Sequence, residues 1–167
     1  MAYRGGFGRP ASLLGATAGA IVPASIMAGL IGTVCVTVPF VAMLLVDGFL
    51  SPLSLESLIN ALMLSGMMIA IGSFAGTFVV GWFLAIFGLP VALLMGERIR
   101  TSAGLLISVT TAAAAALIAL RWMWGTTAAS PKAIWEDDAL IVFAFVLPAA
   151  WFYRRQVIAM LDELPDN

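Results

Sequence analysis

The sequence predicts an all-α integral membrane protein, in which about four transmembrane helices form one bundle with both termini on the cytoplasmic side. Hydrophobic residues make up 62% of the 167 residues and charged residues only 10%, and the mean hydropathy is +1.08. A soluble domain is about 45–50% apolar and about 25% charged. The apolar residues also fall in long uncharged runs, and the chain length suits a single transmembrane domain.

The first uncharged run covers residues 11–46. It is too long for one straight helix across about 30 Å of hydrocarbon, which needs about 20 apolar residues. Because Pro23 removes a helical hydrogen bond, it offers a break. We therefore expect a short interfacial or re-entrant piece over residues 11–22 and a first span over residues 24–46, ended by Asp47 and Gly48.

Arg4 and Arg9, which precede this apolar run, also resemble the start of a signal peptide. The hydrophobic region of a signal peptide is about 7–15 residues long, and this run is far longer. We therefore expect a retained first span.

The second uncharged run, residues 57–96, permits two interpretations. A lead-in helix near residues 58–69 and one span over residues 70–95 give four spans in all. A turn near residues 72–76 would instead divide the run into two short spans and give five.

The third span is predicted over residues 103–120 and the fourth over residues 139–153. Charged pairs flank the fourth span and mark its ends. At 1.5 Å per residue this span covers about 23 Å, and the flanking charges can reach the membrane surface by snorkelling.

Charge placement favours four spans over five. With four spans, Arg121 and Lys132 face one side of the membrane and the other basic residues face the opposite side, namely Arg4, Arg9, Arg98, Arg100, Arg154 and Arg155. Cytoplasmic segments carry an excess of Lys and Arg, so this larger group and both termini are predicted to be cytoplasmic. Five spans would divide the basic residues evenly and remove the bias.

Small residues recur at steps of four, which lets helices approach closely in a bilayer, where association depends on close packing. Packing within the chain is the simpler interpretation, and a contact with another subunit is the alternative. The predicted helix-packing residues are Gly15, Gly19, Gly72, Gly76, Gly104, Ser108, Ala112 and Ala116.

Aromatic residues stand at the predicted ends of spans, where Trp and Tyr anchor helices at the membrane surface. The predicted interface anchors are Trp122, Trp124, Trp135, Trp151 and Tyr153. Trp82 falls near the middle of the second span, and we expect it to pack inside the bundle. Each of Pro39, Pro90 and Pro148 lies inside a span near one end and is expected to kink its helix.

The sequence contains no pattern typical of catalysis or metal binding. It has no histidine and a single cysteine, Cys35, which excludes an internal disulfide, a Ser-His triad and the usual zinc clusters. No ionisable residue lies at mid-depth in a predicted span, where such residues mark proton-coupled transport. We interpret Glu136, Asp137 and Asp138 as a solvated stop before the fourth span, with a divalent-cation site as the alternative. We predict no catalytic residue, no metal site and no cofactor.

Residues on the predicted cytoplasmic side indicate contacts with lipid and protein. The predicted sites for anionic lipid headgroups are Arg98, Arg100, Arg154 and Arg155. Residues 155–164 are predicted to extend the fourth helix as an amphipathic segment. Its apolar stripe consists of Val157, Ile158, Leu161 and Leu164. We expect this stripe to lie on the membrane surface or, in preference, to dock to a protein partner.

The sequence favours a non-catalytic accessory or assembly subunit of a larger membrane complex. Its predicted partners are the lipid bilayer and other membrane proteins or further copies of the chain. A net charge of −1 gives no field that would attract nucleic acid. The alternative is a small oligomeric transporter or channel for an uncharged solute, and an enzyme that uses the outer carboxylates ranks lowest. The alanine- and glycine-rich composition points to a bacterial inner membrane.

Overall fold

A computed structural model describes residues 13–46, 55–124 and 142–162. Of this part of the chain, 97% is helical and none lies in a strand. The all-α prediction and the count of four main helices are therefore confirmed. By length and composition alone, two of the helical paths can cross a membrane: Leu13–Leu44, with 32 residues, and Leu58–Arg100, with 43 residues.

The α-helices in chain order are α1 (Leu13–Gly19), α2 (Ile21–Val46), α3 (Leu55–Phe83), α4 (Leu89–Met95), α5 (Ser102–Trp124) and α6 (Leu147–Leu161). Two π-helical turns interrupt this series, Leu84–Gly88 between α3 and α4 and Val142–Val146 before α6. A 3-10 turn, Gly96–Arg100, joins α4 to α5. The four main helices are thus α1–α2, α3–α4, α5 and α6.

Helix α1 continues into α2 rather than forming a separate piece. The Ala20 N–H donates to the Ala16 carbonyl, and the Ala24 N–H donates to the Ala20 carbonyl, each at 3.2 Å. Pro23 has no N–H for the Gly19 carbonyl, so the distortion falls about one turn before the proline. The break predicted at Pro23 is corrected accordingly, because that residue lies inside α2.

The second uncharged run forms one helical path. Helix α3 passes through residues 72–76 without a turn, so the predicted lead-in segment and the residues after it belong to the same helix. This matches the four-helix interpretation and excludes the division of this run into two helices.

Two of the three prolines predicted to kink helices follow the π turns. Pro90 and Pro148 are each the second residue of their α-helix, and neither has an N–H for the carbonyl four residues earlier. After the first π turn, the Leu89 N–H donates to the Leu84 carbonyl, five residues earlier. The wider turn accommodates the proline ring. Helix α2 continues unbroken past Pro39.

Helix α2 is central because small residues cover two of its faces. On α1–α2, Ala16, Ala20, Ala24 and Ala28 are fully buried. They share one apolar core with residues of α6 that include Val157 and Leu161. A side chain no larger than methyl every fourth residue lets α6 approach closely along this whole length.

The second face of α2 packs against α3. A Cβ added at Gly29 would lie 2.5 Å from the Thr77 nitrogen, and one added at Gly72 would lie 2.6 Å from Thr33 Cγ2. The Thr33 hydroxyl donates to the Gly29 carbonyl at 2.8 Å, so this polar side chain is buried without an unpaired group. The backbones of α2 and α3 are therefore closer than larger residues would allow.

Phe145, in the second π turn, fills a notch between α2 and α3. A Cβ at Gly32 would overlap its ring, and a Cβ at Gly76 would lie 2.7 Å from its Cε1 atom. Two helices each supply a glycine where the ring of a third segment enters, so the start of α6 is held at the α2–α3 crossing.

Candidate functional site at the arginine-rich end

The arginine-rich end of the bundle, defined by Arg98, Arg100, Arg154 and Arg155, is built on the turn between α4 and α5. Gly96 has φ +49, a conformation that glycine adopts without steric cost, and it lets the chain leave α4. The turn then packs on the first turn of α5, because a Cβ at Gly104 would overlap the Arg98 carbonyl oxygen.

Thr101 caps α5 at this turn. Its hydroxyl donates to the Arg98 carbonyl at 2.8 Å and accepts the Gly104 N–H at 3.1 Å. A threonine side chain in this position satisfies one of the N–H groups that the start of a helix leaves unpaired. The turn and α5 are therefore connected by both packing and hydrogen bonding.

Arg154 of α6 connects to the same turn. Its Nε donates to the Ile99 carbonyl at 2.8 Å, and its Nη2 donates to the carbonyls of Arg100 at 3.0 Å and Thr101 at 3.3 Å. The planar guanidinium suits such a set of neighbouring acceptors. Arg154 was predicted to bind lipid headgroups, but here its donors bind the protein backbone.

Ion pairs surround this contact at the surface. Arg100 lies 3.2 Å from a Glu97 oxygen and 2.8 Å from an Asp162 oxygen. Exposed pairs of this kind contribute about 0–1 kcal/mol, so the hydrogen bonds of Arg154 make the stronger connection. Arg98 and Arg155 are exposed, and within the described residues their side chains make no hydrogen bond or ion pair.

Tyr153 connects α6 to α1. It is buried, with 5% exposure, and its hydroxyl donates to the Thr17 carbonyl at 3.1 Å. Tyr153 was predicted to anchor the helix at the membrane surface, but it faces the interior because α1 covers this face of α6. Trp151, two residues earlier, is 51% exposed and lies where an anchor can act.

A small cavity lies beside Tyr153, between the first π turn, α5 and α6. Its volume is about 30 Å³, and its lining includes Phe87, Ser108, Thr111 and Ala150. The Ser108 hydroxyl donates to the Gly104 carbonyl at 2.8 Å. A cavity needs about 10–15 Å³ of such volume to hold one water molecule, so this one has room for water but not for an organic substrate.

The other predicted packing residues lie on two helices, α1 and α5. Gly15 and Gly19 are on α1, and a Cβ at Gly19 would lie 3.3 Å from the Met160 sulfur. On α5, Ala112 and Ala116 form a second apolar cluster with Phe83 and Val146. The α5 stripe therefore packs against the 3-10 turn, α4, the end of α3 and the second π turn of the same chain.

Trp82 was predicted to pack inside the bundle, but the structure places it on the surface. It is 63% exposed, because the opposite side of α3 packs on α2.

Helix α5 includes Trp122 and Trp124, whose side chains lie outside the described part, as does all of Trp135. Glu136, Asp137 and Asp138 also lie outside it. The described residues contain no group of three or more His, Cys, Asp or Glu side chains that could hold a metal ion.

Three features of this region were not found from the sequence. The first is the row of alanines at every fourth position of α1–α2, which could have been found because this spacing places them on one helix face. The notch for Phe145 and the Arg154 contacts gave no such signal, because each joins segments far apart in the chain.

Comparisons of the chain with protein-family models, curated proteins and solved structures find no match.

Proposed function

We propose that this protein spans a membrane with four helices and serves as a non-catalytic accessory or assembly subunit of a larger membrane complex. The proposed location is a bacterial inner membrane, with both termini in the cytoplasm. The exposed surface of α3 supports membrane insertion, since large apolar side chains follow it from Leu55 to Trp82. Soluble monomers rarely expose apolar patches above a few hundred Å², whereas hydrocarbon suits such a surface.

The orientation is supported by the arginine-rich end. Arg154 donates to carbonyls of the turn that carries Arg98 and Arg100, so these residues lie at the same end of the bundle. An excess of arginine is typical of the cytoplasmic side.

One observation favours a protein partner. Met63, Gly66, Met67, Ala70 and Phe74 are exposed along one side of α3, here named the α3 outer face. A Cβ at Gly66 would have nothing within 4 Å, so the chain's own packing does not require this glycine. Glycine in a helix costs about 0.5–1 kcal/mol relative to alanine. Small residues let a second membrane helix approach closely, and methionine adapts to irregular contacts.

The interior suits a structural role. The hydroxyls of Thr17, Ser25 and Thr33 donate to carbonyls of their own helix within four residues. They allow close packing while their hydrogen bonds are satisfied locally. These three hydroxyls therefore support helix packing.

The substitution Gly66→Leu tests the partner contact. A bulky side chain on the α3 outer face should separate the two helices and abolish copurification of partners after mild detergent extraction. Ala75→Leu is the matched control, because Ala75 is exposed and lies about 180° around α3 from Gly66 at 100° per residue. Unchanged copurification for both variants, with unchanged thermal stability, would contradict the proposed contact.

The second candidate is a small oligomeric transporter or channel for an uncharged solute. The first π turn borders the internal cavity, and such turns are frequent at functional sites. Solute flux into liposomes that contain only this protein would favour it, and changes at Pro90 or Pro148 should then alter the flux.

Neutralising Glu136, Asp137 and Asp138 together separates the subunit from an enzyme. An accessory subunit should keep its assembly and the activity of its complex. Loss of activity in an intact complex would instead favour an enzyme that uses these carboxylates.

A further inference from the structure

An open apolar groove follows the exposed side of α6. It is shallow and open on its outer side, and its lining comes from α2, α5, the second π turn and α6. Leu147, Pro148 and Trp151 of α6 form its floor, and Ile31 of α2 and Val109 of α5 line its two sides. These side chains are all apolar, so the groove fits a hydrocarbon chain.

A cation lies just beyond one end of this groove. Arg155 follows Trp151 by four residues, so both side chains lie on the same face of α6. Arg155 is exposed, and the neighbouring Arg154 already binds the turn through three hydrogen bonds. No side chain among the described residues pairs with Arg155, which leaves its guanidinium available to an anion from outside the chain. The α5 N-terminus lies at the same end and adds a weaker positive potential.

We infer that this groove binds an anionic glycerophospholipid, with one acyl chain along α6 and the phosphate at Arg155. This inference rests on the proposed membrane location. A second helix fits the groove less well, because branched and bulky side chains line it rather than the small residues that close helix packing uses. A flexible chain can follow such a surface, and an arginine near the membrane surface attracts anionic headgroups.

The test is lipid binding to the purified full-length protein, measured by native mass spectrometry. The probes are phosphatidylglycerol, which is anionic, and phosphatidylcholine, which is zwitterionic. We expect one phosphatidylglycerol molecule to bind preferentially. Arg155→Gln should weaken its binding about fivefold, since one basic residue near a membrane surface contributes about 1 kcal/mol. Val109→Trp should fill the groove and abolish the binding of this lipid.

Two control variants match these changes. Arg121→Gln removes an arginine near the C-terminal end of α5, away from the arginine-rich end, and Ile107→Trp introduces a tryptophan at an exposed position of α5 outside the groove. Both should bind phosphatidylglycerol as the unmodified protein does. Displacement of the lipid by glycerol 3-phosphate would show an anion site without a lipid groove and would overturn the inference.

Equal binding of the two lipids, or equal binding by Val109→Trp and Ile107→Trp, would also overturn it. Failure of the proposed location is a separate result, because the protein would then leave the membrane fraction during alkaline carbonate extraction. If the protein stays in the membrane fraction but binds both lipids equally, the lipid inference is wrong and the proposed location stands.

Discussion

At the scale of single residues, the glycines of this chain have contrasting surroundings. Gly32 lies where the ring of Phe145 occupies the space of a side chain, whereas Gly66 has open space around it. Both are helix-interior glycines in apolar sequence, so their sequence context is similar. Their substitution should therefore have opposite effects.

We expect Gly32→Ala to lower the thermal unfolding midpoint in detergent. Overpacking of a well-filled core costs about 1–3 kcal/mol, which exceeds the gain of about 1 kcal/mol from replacing glycine in a helix. Gly66→Ala is the control and should leave the midpoint unchanged or raise it. Phe145→Leu in the Gly32→Ala background should restore part of the loss, and equal midpoints for the two alanine variants would contradict the notch.

Arg154 and Arg155 show the same contrast between neighbours. The sequence predicted one role for both, since each follows the fourth span and carries the same charge. The structure separates them because adjacent residues point about 100° apart on a helix. One meets the carbonyls of the turn, and the other faces outward. Charge pattern indicates the end of the bundle but not the face of the helix.

We expect Arg154→Gln to lower the stability of the turn by about 1.5–3 kcal/mol, the range for hydrogen bonds to charged groups. Trypsin cleavage after Arg98 and Arg100 should become faster, and the unfolding midpoint should fall. Arg154→Lys should recover little of this, because an ammonium lacks the planar set of donors. Arg155→Gln is the control. The same midpoint and cleavage rate for Arg154→Gln and Arg155→Gln would show that the turn does not depend on Arg154.

At the scale of elements, the structure assigns the apolar stripe at the end of α6 to the core of the chain. The apolar stripe of residues 155–164 was predicted to contact the membrane surface or a partner. Val157 and Leu161 are buried in the core that also contains Ala16 and Ala20, so α1 of the same chain covers this stripe. Residues 155–161 belong to α6, but the periodic stripe in the sequence does not identify what covers it. Leu164 lies outside the described residues.

We therefore expect Leu161→Ala to lower the stability of the protein itself. Removing a buried leucine side chain costs about 2–5 kcal/mol, measured as a lower unfolding midpoint in detergent. Leu94→Ala is the control, because Leu94 is 87% exposed. If Leu161→Ala weakened copurification of partners but left the midpoint unchanged, the stripe would be a partner surface instead.

At the scale of the whole molecule, the sequence predicted more of the architecture than of the packing. Composition and uncharged runs gave the helical class and the four helices, because helix length and hydrophobicity are local properties. The contacts of α2 with α3 and α6 depend on pairs such as Gly29 with Thr77, which are far apart in the chain. Trp82 shows the limit of such predictions. Its position along the helix was predictable, but the side of the bundle that it faces was not.

The predicted orientation of the molecule can be tested by labelling from one side of the membrane. In a Cys35→Ser background, which removes the chain's single cysteine, Thr126→Cys and Asn167→Cys each introduce one reactive thiol. An impermeant maleimide added to intact cells should label Thr126→Cys and leave Asn167→Cys unlabelled. In the proposed topology the arginine-rich end is cytoplasmic, and residue 126, which follows α5 in the sequence, is expected on the opposite side. Both thiols should react after the cells are lysed, which controls for their accessibility. Labelling of both thiols in intact cells would mean that an even number of spans separates residues 126 and 167. The four-span topology, which places one span between them, would then be wrong.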